Sequence, residues 1–377
     1  MSSAFARLRG AWLDFRDRCL TDPRFHSLSL RVPFTRPVVR ARQSELFDLV
    51  AGFVWSKTLS AVLETGLLEL LRGPGKSIAL LAREMGLPDD STRRLVEAAA
   101  ALRIAECHGG RYRLGDLGAA LLADPGVQDM VRHHDAFYRD LEDPVGLLSR
   151  PKAETHLSRM WGYALATDAT GATPEGVAPY SALMASSQAM VAREVTAAFP
   201  FDDYNDLLDL GGGQGAFAIA MARAHPHLRA RVLDLPAVAE RARVSVRAAG
   251  LSDRIEAVGG SFFEPAKGLR PAGVVSLVRI LHDHDDDRLP MILAFARSVT
   301  RPGGRLLVAE PMSGTGPSAR RITDAYFNLY LHAMGSGRPR KPRAIARFLR
   351  EAGFQRPRLI STRAPLVASV LVADCPK

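Results

Sequence analysis

Two kinds of hydrophobic spacing divide this chain. From Ser44 to Leu71 the apolar residues Leu46, Phe47, Val50, Phe53, Val54, Leu59, Val62, Leu63, Leu67, Leu70 and Leu71 recur at steps compatible with a helical period. This predicts one or two long helices with a wide apolar face. A helix from about Ser77, a break at Gly86-Leu87-Pro88, an acidic cap at Asp89 or Asp90 and a second helix to about Arg103 follow. Two short strand-like runs then flank Gly109-Gly110 in IAECHGGRYRLGDLG, so helix, turn, helix and hairpin together spell a winged helix. Between residues 120 and 200, further helices are broken by ADPG, EDP and ATGATPEGVAP, the last reading as a flexible, lid-like loop. The helical stretch YSALMASSQAMVAREVTAAF leads into the second half.

There the pattern changes to short apolar runs. Asp206 to Leu210 reads as a strand, Gly211-Gly212-Gly213-Gln214-Gly215 as a tight turn, Ala216 to Ala224 as a helix, and Arg229 to Leu233 as a second strand ending at Asp234. In such a β-α-β unit, glycines let the chain turn off the strand and let a ligand approach the main chain where a Cβ would intrude. The acid ending the second strand is placed to accept hydrogen bonds from a ribose diol. Gly211, Gly213 and Ala216 also satisfy the dinucleotide fingerprint, so the turn alone does not separate the two readings. Further strands at Arg254 to Val258, Gly273 to Val278 and Arg305 to Ala309 each end at a polar or glycine-rich segment, where an open α/β sheet places its ligands. The chain finishes in a hairpin, GFQRPRLIST and LVASVLVAD, after only about 140 residues of sheet. A dehydrogenase would need further substrate and nicotinamide machinery. A parallel sheet closed by an antiparallel terminal strand instead has the shape of a seven-stranded methyltransferase.

Composition adds limits. At 377 residues, 47% hydrophobic and 24% charged, the chain can bury an ordinary core and form two domains. Cys19, Cys107 and Cys375 are far apart and odd in number, which excludes a disulfide framework or a CxxC site and fits a reducing cytoplasm. No uninterrupted apolar stretch reaches the roughly 18 to 20 residues of a membrane span, and the N-terminus lacks a secretory apolar region, so neither export nor a transmembrane segment is expected. Residues 1 to 42 hold nine Arg and three Asp with no Lys or Glu, which places +6 of the net +10 there. Phe5, Leu8, Trp12, Phe15 and Cys19 follow at steps of three or four, with Arg7, Arg9, Arg16 and Arg18 off that stripe. This basic amphipathic arm suits an anionic membrane surface, or packing on its own domain or a dimer partner. A winged helix suggests DNA, but its second helix offers only Arg93, Arg94 and Arg103 beside Glu97 and a run of alanines, a face better suited to packing. No nucleic acid partner is expected.

Two segments carry candidate chemistry. In GGSFFEP, Phe262 and Phe263 could pack on an adenine ring or fill the core. In RILHDHDDDRLP, three readings stand: His282 as a general base for an acceptor hydroxyl, His282 and His284 with the acids as a divalent metal site, or a polar loop whose acids Asp285 to Asp287 cap the following helix. Under the first, Asp283 or Glu310 could orient the imidazole. Asp209, two before Gly211, fits a site facing a cationic ligand.

LLDLGGGQG, the Asp234-Leu235-Pro236 step, GGSFF, RILHDHDD and RPGGRLLVAEP stand together in an order and spacing similar to those of plant-type small-molecule O-methyltransferases, over roughly residues 45 to 375. The resemblance implies an α/β fold: a Rossmann-like seven-stranded sheet for S-adenosylmethionine after a mostly helical, winged-helix dimerisation domain. The expected division is a basic arm over 1–42, a winged-helix-like dimerisation domain over 43–120, a helical linker and acceptor-pocket region over 121–200 and the methyltransferase domain over 201–377. It implies that His282 is the base and that Glu310 is the first of two flanking acids. It also implies that Gly211, Asp234, Ser261, Phe262 and Arg279 contact the cofactor, while Tyr180 and Met184 line cofactor and acceptor sites. Gly213, Gly215, Leu235 and Asp209 belong to the same cofactor segment. Ser261 and Arg279 stand where plant members usually carry Asp and Lys, and Arg338 stands where the second flanking acid is expected.

The N-terminal FHSLSLRVPFTRPVVRARQSELFDLVAGFVWSKTL resembles bacterial carotenoid-pathway members, of the hydroxyneurosporene or demethylspheroidene type. That implies a homodimer acting on the 1-hydroxyl of an acyclic carotenoid, cytoplasmic or peripheral on the inner, photosynthetic membrane. A tetrapyrrole or aromatic polyketide acceptor is the alternative, with Phe137, Tyr138, Trp161, Tyr163, Tyr326, Phe327 and Met334 as pocket residues for either. A winged-helix regulator that senses S-adenosylmethionine without catalysis is the alternative from another class.

Overall fold

The computed structural model describes residues 2–160, 188, 190–265, 268–364 and 367–377. The chain divides into two compact units, Met1–Ala123 and Asp124–Lys377. The pocket region expected from residue 121 therefore falls, from Asp124 onward, in the same unit as the sheet.

The first unit opens with the helices Ser2–Thr21, Pro23–Arg31 and Arg36–Glu64. Asp22 stops the first and starts the second: its side chain accepts from the Arg24 N–H at 2.8 Å, ahead of a proline at the first helical position. The third helix begins before Ser44 and runs through the expected boundary at residue 42. By length and composition it is apolar enough to cross a bilayer, with a window of mean hydropathy 1.4 that is 6% buried, although no uninterrupted apolar stretch of that length lies within it, as the sequence led us to expect. Single charges such as Asp48 and Lys57 interrupt the apolar run without lowering that mean far. Beyond it, the helices Ile78–Met85 and Asp89–Ala101 pack around Leu67, Leu81, Val96 and Ala99. Ser77 caps the former by accepting from the Leu80 N–H. Asp89 and Asp90 lie inside the first turn of the latter, so they act on its dipole and do not cap it. The strands β1 (Ala105–His108) and β2 (Arg111–Leu114) pair antiparallel around Gly109-Gly110. Arg94 pairs with Asp90 and Arg93 with Glu97 on their own helix.

The second unit contains a seven-stranded sheet in the order β5-β4-β3-β6-β7-β9-β8. The strands are β3 (Asp206–Leu210), β4 (Arg229–Asp234), β5 (Ile255–Gly259), β6 (Ala272–Val278), β7 (Thr300–Glu310), β8 (Gln355–Ile360) and β9 (Ser369–Asp374). Strands β3 to β7 run parallel, and β9 inserts antiparallel between β7 and β8. Every residue of β6 is buried, as a central strand covered on both faces requires. Alternate residues serve the two faces: Leu207 packs with Phe199, Phe217 and Met221, whereas Leu208 and Leu210 pack with Leu289, Ile292 and Leu349. The sequence order reverses between β3 and β6, and this is where open α/β sheets bind ligands.

Before the sheet, Asp124 and Asp143 cap the helices Pro125–Asp140 and Pro144–Ser149, which explains the ADPG and EDP breaks. The helix Leu289–Val299 has no side-chain cap, which corrects the capping role expected of Asp285 to Asp287. Leu371, on β9 and 1% exposed, fills the layer between β7 and the helix Pro342–Glu351. Leu371→Ala should lower unfolding stability by about 2–5 kcal/mol, read from denaturant titration.

Candidate active site

The carboxyl ends of β3, β4, β5, β6 and β7 gather the candidate residues. At the end of β3, Asp209 is buried, and the Ser276 hydroxyl donates to its Oδ1 at 2.6 Å. Its Oδ2 has no hydrogen-bond partner among the described residues. Burial raises this carboxyl to about 7 against the opposing hydroxyl, with the nearby Asp234 adding to the rise. The chain then turns at Gly211, whose φ is 67° and where a Cβ would lie 2.5 Å from the Ile280 side chain. Two residues on, Gly213 also has a left-handed φ, but a Cβ there would face open space. The Gly213 N–H donates to Asp234 Oδ2 at 2.7 Å, and the Leu235 N–H donates to Oδ1 at 2.8 Å. Asp234 thus ties the glycine turn to the end of β4. Burial raises it to about 6 against these two donors. Gly215 opens the helix Ala216–Ala224.

After β5, Ser261 accepts from the Phe263 N–H at 3.1 Å. Phe262 lies edge-on to Phe263 at 4.9 Å between centroids, and both meet His284 edge-on. Phe262 is partly buried against the core and close to Gly211, so it has a packing role and also borders the turn.

After β6 the backbone reverses through Arg279, whose φ is 58°, an uncommon conformation for a side-chain-bearing residue. His282 follows, 2% exposed, with Nε2 3.2 Å from Asp283 Oδ1. Its Nδ1 has no partner among the described residues. Of the two acids expected to orient the ring, Asp283 reaches it. Glu310 Oε2 accepts instead from the His282 main-chain N–H at 3.1 Å. Burial, then the charges of Arg279 and Arg340, hold the imidazole well below its ordinary value, so it is neutral. Burial raises Asp283 well above the carboxylate range, with Glu310 adding to the shift, and raises Glu310 to about 7.

The loop facing His282 comes from 336–340. The Arg338 N–H donates to the His282 carbonyl at 2.8 Å, while its guanidinium pairs with Asp286 on the surface. Arg340, 4% exposed, donates to the carbonyls of Leu281 and His284, both at 2.6 Å, and to Asp286 at 2.7 Å. Asp285 pairs with Lys152 and accepts from the Gly337 N–H. Asp285 and Asp286 therefore fasten this loop. Among the described residues, no group of three or more His, Cys, Asp or Glu is placed to hold a metal ion.

Beyond His282 lies an aromatic cluster. Phe327 is 6.1 Å from the imidazole and ends a π-helical turn, Arg321–Phe327, a distortion frequent at functional sites. Tyr326 and Tyr330 stack, and Phe137 meets both edge-on. His133 and His134 bond the hydroxyls of Tyr330 and Tyr326 at 2.7 and 2.8 Å. Burial lowers His134 to about 4 and raises both phenols, so these pairs are neutral. Met334 is buried in the same cluster.

Asp209, Gly211, Gly213, Gly215, Asp234 and Leu235 thus form one connected turn, bordered by Phe262, with Arg279, His282, Asp283 and Glu310 at the neighbouring strand ends. Ser261 is engaged locally with Phe263. Tyr180, Met184, Trp161 and Tyr163 lie outside the described residues. Sequence reasoning missed Arg340, Gly337, Ser276 and the two His–Tyr pairs. Only the run of three acids, which calls for basic partners, hinted at Arg340.

The O-methyltransferase domain family model matches residues 138–355, and the O-methyltransferase dimerisation domain model matches residues 47–124. The chain belongs to the O-methyltransferase family. It is 40% identical over 355 residues to demethylspheroidene O-methyltransferase of Cereibacter sphaeroides, covering 94% of this chain and 92% of that protein. It is 36% identical to the protein of the same name from Rhodobacter capsulatus, covering 96% and 90%. Its fold matches human N-acetylserotonin methyltransferase in complex with S-adenosylmethionine, with a TM-score of 0.74 at 23% identity over 89% of this chain and 98% of that one. It also matches the calicheamicin-pathway methyltransferase CalO1 bound to S-adenosylhomocysteine, with a TM-score of 0.72 at 25% identity over 89% and 98%. This O-methyltransferase uses S-adenosylmethionine. The unpartnered Asp209 Oδ2 and the open space before Gly213 fit a cationic ligand laid along the turn.

Gly337 has a φ of 80°, and a Cβ there would come 2.1 Å from the His282 carbonyl oxygen. Gly337→Ala must displace the loop that holds His282. Thermal midpoint and methyl-transfer rate should both fall, and a variant equal to wild type in both would show that the loop does not position the histidine.

Proposed function

We propose that this O-methyltransferase methylates a hydroxyl of a hydrophobic small molecule, the 1-hydroxyl of an acyclic carotenoid, with His282 as the general base. The observation that carries the base is a buried, neutral imidazole between the glycine turn and the aromatic cluster. The acceptor assignment draws on the two relatives named for demethylspheroidene and on the apolar surroundings of His282.

When bound, S-adenosylmethionine supplies a methyl group already activated on a sulfonium. The backbone of Gly211 to Gly215 would hold the ligand, Asp234 would accept from the ribose hydroxyls, and Phe262 would pack against the adenine. Asp209 would supply negative charge for the ligand's cationic end. Leu235, Ser261 and Arg279 would complete the cofactor contacts among the described residues; Tyr180 and Met184, expected to join them, lie outside those residues. The protein's principal contribution is alignment of acceptor and donor, worth about 7–11 kcal/mol for well-oriented groups. With Nε2 beside Asp283, Nδ1 offers the lone pair that takes the hydroxyl proton as the acceptor oxygen attacks. The Nε2–H donates to Asp283 Oδ1, which holds the tautomer with its lone pair on Nδ1, and the carboxyl oxygen stays against the ring as it takes up the proton. Glu310 keeps the main chain of His282 in place. We place the enzyme as a homodimer on the cytoplasmic side of the inner membrane, in which such an acceptor dissolves.

Three measurements test this reading. His282→Ala should lower the turnover rate by about 10²- to 10⁴-fold while leaving calorimetric affinity for S-adenosylhomocysteine unchanged; salt-sensitive DNA binding with no turnover in wild type would favour the regulator. In the free enzyme, Asp209 ionises as pH rises through about 7, and a cationic donor favours the ionised form. Affinity for S-adenosylmethionine relative to neutral-sulfur S-adenosylhomocysteine should therefore increase as pH rises through that value, and a pH-independent ratio would remove Asp209 from the sulfonium site. With isotope-labelled donor, a 1-hydroxycarotenoid in detergent should gain the methyl group in preference to a phenolic acceptor; preference for the phenol would overturn the acceptor assignment.

A further inference from the structure

The helix Ser2–Thr21 carries an apolar stripe that packs on little else. Phe5 and Leu8 are 72% exposed, and Trp12 and Phe15 are 60% exposed. At 100° per residue these four side chains fall within an arc of about 80°. Arg9 and Arg16 border one side of that arc and Arg7 and Arg18 the other, while Asp14 and Asp17 lie furthest from it. The Arg16 guanidinium sits over the Trp12 ring at 5.7 Å. Leu13 and Leu20, off the stripe, are half-buried, as is Cys19 at the stripe's C-terminal end, so the helix meets the rest of its unit there and along another edge, which leaves Phe5, Leu8, Trp12 and Phe15 outward.

An apolar strip edged by arginines, with acids opposite, is the charge distribution that lets side-chain stems lie at an acyl boundary while their cationic heads meet lipid phosphates. An interface between protein subunits would not by itself call for cations on both borders. The match to the dimerisation domain begins at residue 47, well beyond this helix. The wider segment strengthens the field, with nine Arg and three Asp in residues 1–42. We infer that the helix Ser2–Thr21 docks in the headgroup layer of an anionic membrane, with Phe5, Leu8, Trp12 and Phe15 inserted and Arg7, Arg9, Arg16 and Arg18 at the phosphates. For its purpose the inference rests on the membrane-surface placement proposed above; its evidence is independent of the acceptor.

The test uses the full-length enzyme and unilamellar vesicles of phosphatidylcholine with or without phosphatidylglycerol, and no acceptor. Wild type should float with the phosphatidylglycerol vesicles and dissociate as salt is raised, since each basic residue near an anionic surface adds about fivefold to partitioning. Trp12→Glu with Phe15→Glu should weaken that binding at least tenfold. Arg9→Gln with Arg16→Gln, which leaves the stripe intact, should reduce the preference for anionic over neutral vesicles. Both variants should keep wild-type turnover on detergent-dispersed acceptor and the wild-type sedimentation coefficient. Failure of wild type to bind anionic vesicles, or equal binding by the Trp12→Glu, Phe15→Glu variant, overturns the inference. So does dissociation of an oligomer by that variant, which would make the stripe a contact between copies. A wrong acceptor would instead abolish turnover in wild type and leave vesicle binding as expected.

Discussion

The parallel pairing of β3 with β6, which sets Leu210 opposite Leu277, is the constraint on which the site depends. Their sequence neighbours lie on opposite sides of the sheet, so the loops leaving the two strands diverge and leave a crevice between them. One loop is the glycine turn held by Asp234, and the other leads through the left-handed Arg279 to His282. A hydrogen bond from the Arg279 N–H to the Ala309 carbonyl at 2.8 Å fastens that reversal to β7. No single segment could bring a ligand-cradling turn and an imidazole together. The register of two strands 67 residues apart, marked by the bond from Ser276 to Asp209, does so.

Around that crevice, burial pushes one imidazole and four carboxyls toward neutrality. The imidazole of His282 is driven down, whereas Asp209, Asp234, Asp283 and Glu310 are driven up. The ligand implied by the fold is a cation, and buried acids near neutrality can supply its counter-charge only when it arrives. Arg279 and Arg340 supply positive charge on the other side of the histidine. Arg340 has a structural task as well, because its bonds to the Leu281 and His284 carbonyls satisfy main-chain oxygens that a short turn leaves open.

The aromatic cluster beyond His282 is built from two helical regions that share no sequence signal. The His133–Tyr330 and His134–Tyr326 bonds hold the helix Pro125–Asp140 to the π-helical turn and the helix after it. Neutral histidines paired to neutral phenols bring polar atoms into an apolar wall without burying charge. The wall thereby stays compatible with an apolar acceptor while Phe327 keeps its place against the imidazole.

Much of this was legible in the sequence because it is local. Strand, turn and helix from Asp206 to Ala224 follow from apolar alternation and glycine, and the Asp-Pro helix starts follow from capping chemistry. The candidate base and the acid ending β4 followed from residue type at a strand end. What the chain could not disclose was set by contacts between distant segments. The acids at 285–287 look like a helix cap in sequence, yet Asp285 and Asp286 fasten the 336–340 loop, because Gly337, Arg338 and Arg340 are brought to them by the packing of a later segment. Glu310 looks like a partner for the imidazole, but the end of β7 aims it at the main chain. Tertiary structure decides such matters because a side chain's partner depends on strand register and loop approach, which local propensity does not encode.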